Sequence, residues 1–502
     1  MLGRRTFGNS LPGLLLLTLL FVSVLGVSPV RAVAISPPCG ATLTGSNTLG
    51  SDVGPCFGNG LIIGGSGTTL NCAGHTISGA GSGAGVWIAD VDHVMVKNCV
   101  VTGFYTGYYL FDVSASSLTK DNATRNAQVG FSTYSSLQNV FKRTAATNNG
   151  GEGYLLSGSS NGNQLTQNYA INNTWWGFYF QTSHGNVLKS NYAVGNGLDG
   201  FIFDNAPEIV KSNTAIANGA SGFLFYNGGD NSFLSGNRAF NNSEAGFKVV
   251  GSGNVTLRNN WASGSAVGYR LQNSPAATLA RNSASNNTNE GYWLDSGSGG
   301  ATLVKNTART TAGYGFAIGS SSNTLDWNVA ERNGAAGFYL YGTAVNNTLE
   351  RNLARWNLGD GYWVEGSSNS FRMNIGSANG GAGFYLFNAS SNYFFRNTAN
   401  TNAGAGNVTG WGYFLVGSSG NTLIKNTAYN DGYGFWLDPN SLGNNVTRNS
   451  VKSSGQLQLR GFYDLSTGAA TLGTANFYSM NVCNNGKQAT WTPSLPDVSS
   501  PF

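Results

Sequence analysis

Charge is what this chain has least of. Asp, Glu, Lys and Arg make up 10% of its 502 residues, with 27 basic against 22 acidic. Arg4, Arg5 and Arg31 lie within the first 34 residues, which leaves the remainder near +2. So large a surface with so little positive charge offers nucleic acid no footing. Proline is rare at 11 residues, so neither a collagen-like nor a polyproline composition applies. The histidines are His75, His93 and His184, and no CxxC, HExxH or Walker loop occurs, so no metal or cofactor site is expected. Only one long apolar run exists, LPGLLLLTLLFVSVLGV near the start, so no later segment is expected to span a bilayer.

That run follows Arg4 and Arg5 and leads into VRAVA, where Ala32 and Ala34 are the small residues of a cleavage site. Residues 1–34 read as a secretory signal peptide. The mature chain is therefore expected outside the cytoplasm, extracellular or periplasmic. An oxidising compartment suits its five cysteines. Cys39 and Cys56 can close an N-terminal cap over residues 35–58. Cys72 and Cys99 occupy matching places, in LNC and KNC, and can stack or bridge, whereas Cys483 has no obvious mate.

Glycine (72 residues) and aromatics (12%) are abundant, and they repeat. Glycine followed by alternating large residues recurs from Gly85 to Gly461, mostly at gaps of 22 to 24, with longer gaps before Gly412 and Gly461 that read as inserted loops. Each period holds three short alternating segments: Gly–aromatic–x–aliphatic, as in GFLF from Gly222; NTL, as at Asn323; and Asn-x-Ala, as at Asn168, Asn191 and Asn213. Helical solenoids need longer units, and leucine-rich repeats need leucines that are missing here. The reading is all-β: a parallel β-helix of about 17–18 coils over residues 59–465, with residues 466–502 as C-terminal cover and tail. Asn and Gly are expected at corners that need positive φ, and the alanine at a corner too tight for a larger side chain. Phe201, Phe223, Phe247 and Tyr269 should stack inward, and the asparagine row should bond amide to amide.

LNCAGHTISGAGSGAGVWI near the start and the recurring NTLxxNxA…GFxL resemble the repeat of the pectin-lyase-like superfamily, and most of all secreted NosD-type right-handed β-helix proteins. The resemblance spans about residues 57–464. It implies a right-handed coil. It does not fix an activity, because that architecture hosts lyases, hydrolases, epimerases, adhesins and chains with no known activity. The NosD name is associated with copper, but three histidines and four methionines are a thin stock of ligands, so the metal is not carried over.

Stacked in register, one outward position per coil holds Trp293, Tyr339, Trp363, Tyr385, Phe414 and Trp436, with Ala317 between the first two. Rings about 5 Å apart form a ribbon on which sugar rings can lie. A second row, two residues before the ladder asparagine, begins at Lys120 and Lys142 and brings Asp326, Glu350 and Arg372 onto successive coils. A carboxylate spacing near 5 Å is what retaining glycosidases use. Acidic groups with an arginine also resemble, in type, the calcium-dependent lyases of the superfamily. Asp204, Asp295, Glu365 and Asp438 share another phase but sit three or four coils apart, too far for a catalytic pair. The reading favoured is a secreted, non-catalytic β-helix that binds polysaccharide or cell-surface glycan along the ribbon. A lyase, hydrolase or epimerase, with calcium if a lyase, and a passive scaffold or adhesin are the alternatives.

Overall fold

The computed structural model describes residues 34–402, 410–452 and 460–484. The predicted leader up to residue 33, the stretches 403–409 and 453–459 within the two longer gaps, and the tail after 484 lie outside the described residues. The chain winds as a right-handed parallel β-helix of about 18 turns, with three sheets and one strand per sheet in each turn. In one turn, Tyr292–Leu294, Thr302–Val304 and Thr307–Arg309 supply the three strands. Each pairs in parallel with its counterpart one turn on, Phe316–Ile318, Thr324–Asp326 and Val329–Glu331. Strands within 34–56 already join all three sheets, and Phe477–Ser479 and Val482–Asn484 continue two of them past residue 465.

The interior is built in rows. From Tyr108 to Phe462 one buried ring per coil stacks on the next, with centroids 4.5–5.0 Å apart and planes within 2–11°. The expected Phe201–Phe223–Phe247–Tyr269 stack is part of it. The predicted asparagine row forms a buried ladder in which Nδ2 of each residue donates to Oδ1 of the next, as from Asn260 to Asn282 (3.1 Å) and Asn282 to Asn306 (3.1 Å). Two further ladders run parallel to it, one through Asn323, Asn347 and Asn369 and one through Asn149, Asn173 and Asn196.

Two corner expectations are corrected. The repeat glycine is required by close approach, not by positive φ: a Cβ on Gly268 would stand 2.5 Å from the Gly291 carbonyl oxygen and 2.7 Å from the Ala284 methyl. Ala284 itself lies in mid-strand and faces inward against that glycine. Positive φ does fall on Asn and Gly at other corners, as at Asn172 (54°), Gly195 (64°), Asn241 (53°) and Gly264 (72°), and also on the residue before the ladder asparagine, as at Arg281 (56°), Trp327 (55°) and Arg351 (53°). Cys39 is joined to Cys56 and Cys72 to Cys99. Cys483 is free and packs against the core, where burial pushes its thiol up to about 12.

Asp121 stands where the ladder asparagines stand. Its Oδ1 accepts the Cys99 N–H at 3.0 Å, but Oδ2 is buried with no partner. Burial raises its pKa from 3.8 to about 8. The folded chain keeps a proton that the unfolded chain releases near 3.8, so this group makes stability fall as pH rises through that window. In Asp121→Asn, Nδ2 replaces Oδ2 and can donate to a carbonyl of the preceding coil, as Asn168 does to Phe141 O (2.9 Å). The thermal midpoint at pH 8 should rise by about 2–4 °C, and the gain should fade towards pH 4. A difference that ignores pH would refute this account.

Candidate functional site

The glycine–aromatic sheet carries the outward row in the register expected, and Trp293, Ala317, Tyr339, Trp363, Tyr385, Phe414 and Trp436 are direct neighbours in order. The row is less open than the sequence implies. Trp293, Trp363, Tyr385, Phe414 and Trp436 are half-buried, and Tyr339 is buried at 8% exposure. The cause is crowding. Tyr339 is covered by Tyr314 (centroids 4.6 Å) and Tyr341 (4.2 Å), and it leans on Trp363 at 5.2 Å and 51°. Trp363 in turn leans on Tyr385 at 5.6 Å, and Tyr385 stacks on Phe414 at 5.1 Å and 20°. The ribbon therefore presents tilted faces and edges, not a flat pavement.

Trp176, Tyr314 and Trp411 immediately precede the repeat glycine and enlarge the face: Trp176 lies 4.8 Å from Tyr179 and Trp411 lies 4.7 Å from Phe414. Trp176 and Tyr314 precede their strands and Trp411 is the first residue of its own, so the alternation that starts at the glycine misses them. The pattern aromatic–Gly–aromatic in WGFYF, YGFAI and WGYFL is the signal that marks them.

Carboxylates flank this face. Burial raises Glu290, and it lifts Asp360 to about 6 although Oδ1 of Asp360 accepts the Ala382 N–H at 2.6 Å. Burial, a hydrogen bond to Glu365 and the charge of that carboxylate push the Tyr339 phenol far up. Tyr179 is raised to about 12 by burial and then by Asp204. Cations are fewer: Lys248 and Arg270 pair with Glu244, and the Arg270 guanidinium lies 4.4 Å over the Trp293 ring.

Asp326, Glu350 and Arg372 are aligned on successive coils of the NTL sheet. The partner of the acids is Arg351, which grips Asp326 in a bidentate pair (3.0 and 3.1 Å) and reaches Glu350 at 3.5 Å. Arg372 turns to Ser370 Oγ (3.3 Å) and the Tyr393 ring. Lys120 falls one residue out of the row, because Thr119 pairs with Lys142.

His75 Nδ1 is held by Asp52 and His93 Nδ1 by Asp92, each at 3.2 Å, and among the described residues no three His, Cys, Asp or Glu side chains group as metal ligands. Nor is any helix among them long and apolar enough to cross a membrane.

No curated protein matches the chain. Solved structures that resemble it include the periplasmic alginate epimerase AlgG, 13% identical over 67% of this chain and 77% of that one, with a TM-score of 0.35. The A-module of the Azotobacter vinelandii mannuronan C-5 epimerase AlgE6 is 12% identical over 88% and 91%, at 0.21. The catalytic domain of an α-1,3-glucanase in complex with nigerose is 15% identical over 64% and 68%, at 0.28. A sequence profile for a periplasmic copper-binding protein, NosD, matches residues 208–360. The profile for the right-handed beta helix region matches 32–174, 139–262 and 344–484, most of the sequence. By the extent of that match, the chain belongs to the right-handed β-helix family.

Proposed function

We propose that the protein is exported through its N-terminal leader, to the periplasm or beyond, and binds polysaccharide along the glycine–aromatic sheet without cleaving it. The observation that carries this reading is the in-register row from Trp293 to Trp436, widened by corner aromatics and flanked by carboxylates able to accept sugar hydroxyls. Tilted rings with half-exposed faces suit the apolar side of a pyranose, and burying part of an aromatic face is worth on the order of 1 kcal/mol per ring. The disulfides fit an oxidising compartment. The engagement of Asp326 and Glu350 by Arg351 supports a structural ion pair over catalysis there.

The test is a glycan array probed with the mature protein, with and without calcium. The double variant Trp363→Ala, Trp436→Ala should lose at least about tenfold in apparent affinity for any glycan retained, while keeping its circular dichroism. Retention unchanged in that variant would remove the ribbon from the account. New reducing ends or unsaturated uronate absorbance, abolished by Asp326→Asn, would establish the enzymatic alternative in its place.

A further inference from the structure

From Trp293 to Trp436 the outward row is broken at one coil. The coil of Phe316–Ile318 presents Ala317 and then Gly319. The coil before it presents Trp293 and Asp295 at those places, and the coil after it Tyr339 and Tyr341. Ala317 is fully covered, so the opening lies over Gly319, between Asp295 and Tyr341 and with Trp293 at its side. The walls stand two coil spacings apart, about 9.6 Å. Asp295 and Tyr341 are the two side chains facing each other across Gly319, and contact distances of about 4 Å on each side leave room for one ring.

The resulting cleft measures about 430 Å³ and is lined by Trp293, Asp295, Ser296, Gly319, Tyr341 and Thr343. Gly319, which carries no side chain, forms its floor. The coil preceding Trp293 sets Arg270 against its ring, on the side away from the notch. Asp295 Oδ1 is fixed by Ser298 Oγ (2.8 Å) and the N–H groups of Asn273 (3.0 Å) and Gly297 (3.2 Å), and its other oxygen has no donor among the described residues. Asp295 is the charged side chain in the cleft's lining.

We propose that this notch is a subsite for one amine-bearing pyranose of a bound glycan, its ring flat on Trp293 and its ammonium group beside Asp295. The proposal rests on the polysaccharide reading above and narrows it, because a uronate ring would bring its carboxylate to an acidic wall.

Titration calorimetry with glucosamine, glucose and galacturonate oligomers of equal length tests it. The glucosamine oligomer should bind at least about tenfold tighter than either of the others. Trp293→Ala should cost it about tenfold or more, and so should Gly319→Tyr, which fills the notch. A Cβ added at Gly319 meets the Leu294 carbonyl oxygen at 3.2 Å, a tight contact, and Ser296 N at 3.5 Å, so Gly319→Ala, which adds that contact without filling the notch, is the control and should bind as the parent does. Trp293→Leu keeps apolar volume without the flat face and serves if Trp293→Ala loses its β-sheet circular dichroism. Galacturonate or glucose oligomers bound as tightly as glucosamine would overturn the proposal. So would wild-type affinity in the notch variants. If those variants bind normally while Trp363→Ala with Trp436→Ala weakens binding, the notch falls and the ribbon stands. If neither set matters, both fall.

Discussion

Asn282→Ala is expected to destabilise the helix by about 3–5 kcal/mol, although it removes only one small polar side chain from a long chain. Asn282 is buried, and its amide is fully engaged: Nδ2 donates to Leu257 O (2.8 Å) and Asn306 Oδ1 (3.1 Å), while Oδ1 accepts the backbone N–H (2.9 Å) and Nδ2 (3.1 Å) of Asn260. Truncation leaves two Asn260 donors without partners in a site closed to water and removes a further bond to the Leu257 carbonyl. Each such group costs about 1–3 kcal/mol when stranded, and bonds in a chain polarise one another. Asn289→Ala is the control. Asn289 is exposed on the same coil, and its change should stay within about 0.5 kcal/mol. Urea midpoints of the two variants measure the contrast. Hydrogen exchange should localise the loss to the coils around residues 257–306, because each coil of a solenoid rests only on its neighbours. Equal midpoints for both variants would show that the ladder contributes nothing net.

The parts of this fold legible in the sequence are those governed by strict phase. Once Gly337 and Gly361 are stacked, Tyr339 must lie beside Trp363, and it does. The Asn168–Asn191 bond and the Phe201–Phe223 stack follow from the same phase. What escaped lies at corners, where alternation stops. Asn149 and Asn173 look like ordinary turn residues in their NNG and NNT contexts, yet they form a ladder of their own. Tyr314 and Tyr341 flank their strands and cover Tyr339, which converted an expected open ring into a buried one. Arg351 occupies a corner at positive φ, so no strand pattern points it at Asp326. The candidate site was therefore readable as a row of residues but not as a surface, because exposure is decided by what leans over from the corners.

Phe223→Ala removes a whole ring from the interior row, with an expected loss of about 3–5 kcal/mol. Phe223 is fully buried between Phe201 (4.8 Å, 2°) and Phe247 (4.9 Å, 4°). In a globular core, neighbours shift to fill part of such a void. Here they cannot, since the strand bearing Phe223 is hydrogen-bonded to strands above and below in fixed register. The flanking rings stay about 9.6 Å apart, and both lose a stacking partner worth about 0.5–1.5 kcal/mol beyond its area. Phe223→Leu, which refills most of the volume without a ring, should recover more than half of the loss. Leu224→Ala, one residue along on the half-buried outer side, should cost about 1 kcal/mol or less. A rigid apolar void of this kind stays dry and takes up small aromatic molecules. Saturating benzene should therefore raise the thermal midpoint of Phe223→Ala while leaving the parent and Leu224→Ala unmoved. If benzene shifts none of them and the Phe223 and Leu224 variants melt together, the coils have closed over the gap, and the stacked rings do not set the spacing of the solenoid.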